Sequence, residues 1–130
     1  MKFWREYNSN PCGRRVGDCT VRALSAALNI SWEEAFDMLA DSAFKMCDMP
    51  SSNSVLGAVL RQHGFYRTAI SSDCDDCYTA ADYAMEHPRG VYVLGFGTHV
   101  ATIVDGIIYD AWDSSNEIPQ YVWYLPQERV

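Results

Sequence analysis

The chain has 130 residues, 48% of them hydrophobic and 13% aromatic, and a formal net charge of −7. Those values suit one domain over residues 1–130 with one hydrophobic core, and they exclude a disordered chain. The acidic balance speaks against a nucleic-acid backbone as partner, and no apolar run approaches the length of a signal sequence or a membrane span. A soluble, cytoplasmic protein is therefore expected. Five cysteines, at 12, 19, 47, 74 and 77, form an odd set. Without an export signal they read as free thiols rather than a disulfide framework.

In chain order, residues 1–17 read as irregular, punctuated by Asn8, Asn10, Pro11, Gly13 and Gly17. Arg14 and Arg15 either meet a substrate carboxylate or solvate this loop. A first helix is expected from Asp18 to Leu28, ending near Asn29. Asp18 is placed to cap it, with its carboxylate accepting an orphan backbone N–H, and Val21, Leu24 and Leu28 fall at helical spacing. Ser31-Trp32-Glu33-Glu34 has the form of a capping box, followed by Ala35, Phe36 and Leu39 on one face. That second helix either continues through Ala43, Phe44 and Met46 or stops earlier, before Asp48-Met49-Pro50. A third helix carries Val55, Leu56, Val59 and Leu60, with Gly64 as its terminator. Phe65 to Ile70 can be a strand. Thr79, with Asp82 three later, caps a short helix that stops at His87-Pro88. Two further strands are expected, Val91 to Phe96 and Tyr121 to Leu125, with a hairpin turning at Asp105-Gly106 between them. Helices first and antiparallel strands afterwards give an α+β class, with N-terminal helices packed on one side of a C-terminal antiparallel sheet.

The chemistry concentrates at two places. Cys19 stands on the first turn of the first helix, where free N–H groups and the positive end of the helix dipole favour thiolate, the nucleophilic form. His99 opens one arm of the Asp105-Gly106 hairpin. With those two residues as the turn, Val104 faces Ile107 and His99 faces Trp112, and Asp110 is a diagonal neighbour of His99 on the face shared by Ala101, Ile103 and Ile108. A carboxylate there fixes the imidazole tautomer and stabilises the imidazolium. Asp113, on the other face of a regular strand, is the second choice for that role. Asp18, Trp112 and Asp113 are the expected cleft residues, and Trp112 either shields the histidine from water or fills core. His63 and His87 read as structural. Cys74-x-x-Cys77 has the spacing of half a zinc site. No second pair follows, and Cys12 and Cys47 complete four thiolates only if the fold gathers them. The segment reads as an exposed acidic loop, with no metal and no cofactor expected.

Gly17-Asp18-Cys19-Thr20-Val21-Arg22-Ala23 and His99-Val100-Ala101-Thr102-Ile103-Val104-Asp105-Gly106, with Tyr109-Asp110, together resemble the papain-like cysteine peptidase superfamily. The small form is similar to compact bacterial and phage members, including domains that process bacteriocin leaders. The resemblance implies a papain-like fold in which Cys19 attacks a carbonyl, His99 relays the proton and Asp110 orients His99. It also implies a peptide or protein substrate, with neither nucleic acid nor membrane as partner. The family commonly carries a glutamine six residues before the cysteine, as an oxyanion donor. Gly13 holds that position here. The Cys19 N–H can supply one donor, and Asn10 or Asn8 the other if the loop folds back. The expected function is a thiol hydrolase of peptide, isopeptide or related amide bonds. The alternative is the same fold kept as a protein-binding module.

Overall fold

The structure is a computed structural model, and it describes residues 3–71 and 78–126. In chain order the elements are β1 (Trp4–Glu6), α1 (Cys19–Leu28), α2 (Trp32–Met46), α3 (Asn53–Gln62), β2 (Tyr66–Ala69), α4 (Ala80–Glu86), β3 (Val91–Gly95), β4 (Val100–Val104), β5 (Ile107–Asp110) and β6 (Tyr121–Tyr124). The class is α+β. No helix among the described residues is long and apolar enough to cross a membrane.

Local chemistry accounts for the helix limits. Ser31 and Glu34 form the reciprocal capping box that starts α2, and Thr79 with Asp82 does the same for α4. Helix α2 runs on to Met46, because Leu39, Ser42 and Ala43 continue its buried stripe, and it closes on Cys47 in the left-handed region. Asn29 closes α1 in the same way at φ 55°, a conformation asparagine tolerates better than most residues.

The six strands form one sheet in the order β1-β5-β4-β3-β6-β2. The sheet is mixed, which departs from the all-antiparallel expectation. Trp4–Glu6 had read as irregular, yet β1 pairs parallel to β5, with Glu6 opposite Asp110. Three residues are too few to show a period of two. The Tyr7 N–H donating to the Asp110 carbonyl (2.8 Å) prolongs the pairing by one step. The helices are not confined to one side either. Leu24, Leu39, Val55 and Leu60 pack with Val93, Val100 and Trp123. Tyr83 and Ala84 of α4 pack with Tyr92, Leu94, Ala101, Ile103 and Ile108. Neighbours on one strand thus alternate between two cores, and both faces of the central strands are buried. That is why β3 and β4 read as apolar runs rather than clean alternations.

The β4–β5 hairpin turns at Asp105 (φ 49°) and Gly106 (φ 80°), the pair of positive angles that a type I′ turn requires. The resulting register sets Val104 against Ile107 and Thr102 against Tyr109. Gly95 ends β3 opposite Tyr121. A Cβ built there would overlap the Tyr121 ring, and this ring also takes Arg67 over its face at 4.8 Å. Gly95→Ala is therefore expected to cost about 1–3 kcal/mol through overpacking. A urea titration reads the loss as a lower midpoint; an unchanged midpoint would show that the ring can step aside.

Candidate functional site

Helix α1 and the β4–β5 hairpin meet at one end of the sheet. Thr102 of β4 donates to the Ala23 carbonyl of α1 (2.7 Å), so α1 lies on the Thr102 side of the strand. Ala101 and Ile103 face the other core, as does Ile108. His99 and Asp110 were expected on that second face. They sit at the strand ends, and their side chains engage α1 instead. The hairpin register is as expected; the side of the sheet is not.

His99 Nε2 donates to Asp110 Oδ2 at 2.6 Å. With that nitrogen committed, Nδ1 is the one left for a second partner, and the Cys19 thiol lines the same cavity as the ring. Trp112 covers the imidazole with ring centroids 4.8 Å apart, and Phe96 stacks nearby at 6.0 Å. Asp113 is exposed and accepts from the Ser115 N–H (3.0 Å), away from the imidazole. Asp110, of the two carboxylates considered, is the one that meets His99.

Asp110 is fully buried, yet its carboxylate is saturated with donors. Oδ2 also accepts from Ser114 Oγ (2.7 Å), and Oδ1 accepts from the Ala111 N–H (2.8 Å). Arg22 donates to Oδ1 twice, from one terminal nitrogen at 3.1 Å and from Nε at 3.3 Å. The other terminal nitrogen of Arg22 reaches Asp18 Oδ1 at 2.6 Å. Asp18 Oδ2 accepts from the indole N–H of Trp32 (2.9 Å). Asp18 is thus the N-cap residue of α1, but its side chain makes no cap bond. It is drawn off the helix end by the stronger charge-assisted pair with Arg22. Arg22 and Asp18 are 5% and 6% exposed, so two carboxylates, one guanidinium and one imidazolium neutralise each other out of water.

Burial pushes the Cys19 thiol up. The His99 hydrogen bond, the Val100 backbone N–H and the positive charges of His99 and Arg22 outweigh burial and hold it below its ordinary value of 9.0. For His99, burial pulls the ring down. The hydrogen bonds to Asp110 and Cys19, together with their charges, raise it to about 9. Burial likewise raises Asp110, but the His99 bond and charge, Ser114 and Arg22 leave it below the usual carboxylate range. A histidine raised to about 9 is protonated at neutral pH, so Cys19, its thiol eased toward ionisation, faces an imidazolium with an anion behind it. The raised histidine carries a stability consequence. In a Cys19→Ser background, which removes the competing thiol titration, protonated His99 contributes its full stabilisation below its unfolded value of about 6.5. That contribution is lost as the pH rises toward the folded value. The stability advantage over Cys19→Ser/His99→Ala should therefore shrink as the pH rises above about 6.5, the decline being complete below the value of about 9 that holds only with Cys19 beside the ring. A pH-independent difference would contradict the raised value.

A cavity of about 410 Å³ opens over the thiol, with Asn8, Arg15, Asp18, His99 and Trp112 in its wall. Asn8 and Asn10 are fastened in the preceding loop. Asn10 Oδ1 accepts from the Cys12 and Arg14 N–H groups (2.9 and 3.3 Å), and the Asn8 side-chain amide donates to the Arg14 carbonyl (3.1 Å). Of the two, Asn8 lines the cavity. Arg15 is tied to the Ala111 carbonyl and paired with Glu6, so it braces the loop against β1 and β5. His63 and His87 each bond a carbonyl one turn back in their own helices. Cys12 and Cys47 are exposed and free, and no cluster of potential metal ligands occurs among the described residues. Cys74 and Cys77 lie outside the described residues.

Arg22, Ser114 and Trp32 had not been singled out by their sequence positions. The one signal for Arg22 was its place four residues after Asp18, inside an otherwise apolar stretch of α1, where a cation stays only if it is paired. Comparison with protein-family models, with curated proteins and with solved structures finds no match.

Proposed function

We propose that this protein is a papain-like thiol hydrolase acting on a peptide, isopeptide or related amide bond. One observation carries the reading: a cysteine at a helix start lines one open cavity with a histidine, and a buried carboxylate stands 2.6 Å behind that histidine. In the proposed reaction the Cys19 thiolate adds to the substrate carbonyl. The oxyanion is met by the Cys19 N–H, which as the first of the helix has no carbonyl partner one turn back. His99 passes its proton to the departing amine, leaving a thioester on Cys19. It then takes a proton from water as the water attacks, and collapse releases the acid and restores the thiolate–imidazolium pair. Asp110, held by Arg22 and Ser114, keeps the ring turned toward the sulfur.

The test is selective alkylation. Iodoacetamide at neutral pH should label Cys19 well ahead of Cys12 and Cys47, because the charges of His99 and Arg22 lower its thiol. Equal labelling of the three thiols, unaltered by His99→Ala, would remove the basis for the proposal. A second reading, the fold kept as a protein-binding module, draws on the Asn8 amide being spent on Arg14, which leaves the oxyanion one obvious donor. Under that reading an activated ester acylates Cys19 but the acyl group is not turned over.

A further inference from the structure

A second cavity of about 380 Å³ lies against the first. Val16, Gly17 and Asp18 line both. His99 and Trp112, just beyond the ends of β4 and β5, belong only to the first, whereas Trp32, Phe36, Met49 and Pro50 belong only to the second. Its wall is built and fixed. Trp32 and Phe36, one turn apart on α2, stack with centroids 5.1 Å apart and planes at 20°. The Trp32 indole is pinned to Asp18 (2.9 Å). The facing loop is tied to α1 by the Thr20 hydroxyl donating to the Pro50 carbonyl (2.9 Å). Phe36 is 38% exposed and Met49 64%, so apolar surface stands open to solvent in the cavity that shares a wall with that of the thiol.

We infer that this cleft is a side-chain subsite of the substrate channel and takes a large apolar residue, aromatic or leucine-like. The inference rests on the hydrolase reading and adds a substrate class to it. The Val16–Asp18 wall shared with the Cys19 cavity makes a chain bound across the thiol the natural occupant. The polar groups decide which side chain it takes. Asp18 is the carboxylate in the shared wall and would otherwise invite lysine or arginine. Its charge is already paired with Arg22, its Oδ2 holds the Trp32 indole, and it is only 6% exposed, so it offers a substrate cation little. The Thr20 hydroxyl is spent on Pro50. What the cleft has to offer is the aromatic pair and the adaptable Met49 thioether.

Dipeptidyl chloromethyl ketones test this, since the thiolate displaces chloride and leaves a thioether that mass spectrometry locates. Each of the two residues is varied in turn among Phe, Leu, Ala and Lys, and inactivation rates are compared. At one position Phe and Leu should exceed Ala and Lys by about 10-fold or more. In Phe36→Asp, and independently in Met49→Asp, the Phe-to-Ala ratio should fall toward one. Both positions are exposed, so neither substitution opens the core. Labelling of Cys19 with no side-chain dependence, or with a preference for Lys, would overturn the subsite and leave the hydrolase reading standing. Failure of iodoacetamide to single out Cys19 would remove that reading and the subsite with it.

Discussion

Arg22→Met should cost about 3–5 kcal/mol of folding stability, out of a total on the order of 5–15 kcal/mol. The methionine fills much of the same volume, so the loss is electrostatic rather than a cavity. Arg22 bridges Asp18 and Asp110 inside the protein, and its removal strands both charges away from water. Asp110 keeps His99, Ser114 and the Ala111 N–H. Among the described residues Asp18 keeps only the Trp32 indole, so it suffers more. Pairing can add back little in exposed positions, and the exposed Lys45–Asp41 pair (3.1 Å) is expected to contribute under about 1 kcal/mol. A urea titration at neutral pH checks this; a deficit below about 1 kcal/mol would mean the network is solvated and dispensable.

His99→Ala should separate two chemical steps that the imidazole serves unequally. With p-nitrophenyl acetate the leaving group departs without a proton, so acylation of Cys19 depends on how much thiolate is present. Loss of the imidazolium returns the thiol toward its ordinary range, where only a few per cent is ionised at pH 7, and acylation should slow by about 30-fold. The higher intrinsic nucleophilicity of a less acidic thiol offsets part of that loss. Deacylation needs a base to take a proton from water, and loss of general base catalysis there costs about 10²–10⁴-fold. The larger effect wins, so the variant should accumulate acetyl-Cys19, visible by intact mass, while the parent protein turns over. Equal slowing of both steps would assign His99 to thiolate stabilisation alone.

Much of this arrangement is legible in the residues because it depends on short-range rules. Ser31-x-x-Glu34 and Thr79-x-x-Asp82 start helices wherever they stand before an apolar stripe. Asp105-Gly106 fixes a hairpin register, and that register brings Asp110 to His99. The misses share another cause: they depend on partners remote in sequence. Strand β1 is three residues long and exists because β5 offers it an edge. The turn of His99 and Asp110 toward α1 depends on where the strands end, which a period of two does not record. Asp18 had every local reason to cap α1, and a buried guanidinium four residues on outbid the backbone. Arg22 itself is intelligible only once Asp110, 88 residues away, is known to be its neighbour.

The most direct measurement is a pH titration of the Cys19 thiolate by its ultraviolet absorbance, taken as the difference between the parent protein and Cys19→Ser. The thiolate signal should persist at pH values well below the ordinary cysteine range, and His99→Ala should shift its loss back up into that range. A Cys19 that ionises near 9 in the parent protein, indifferent to His99, would contradict the ion pair and every reaction step built on it.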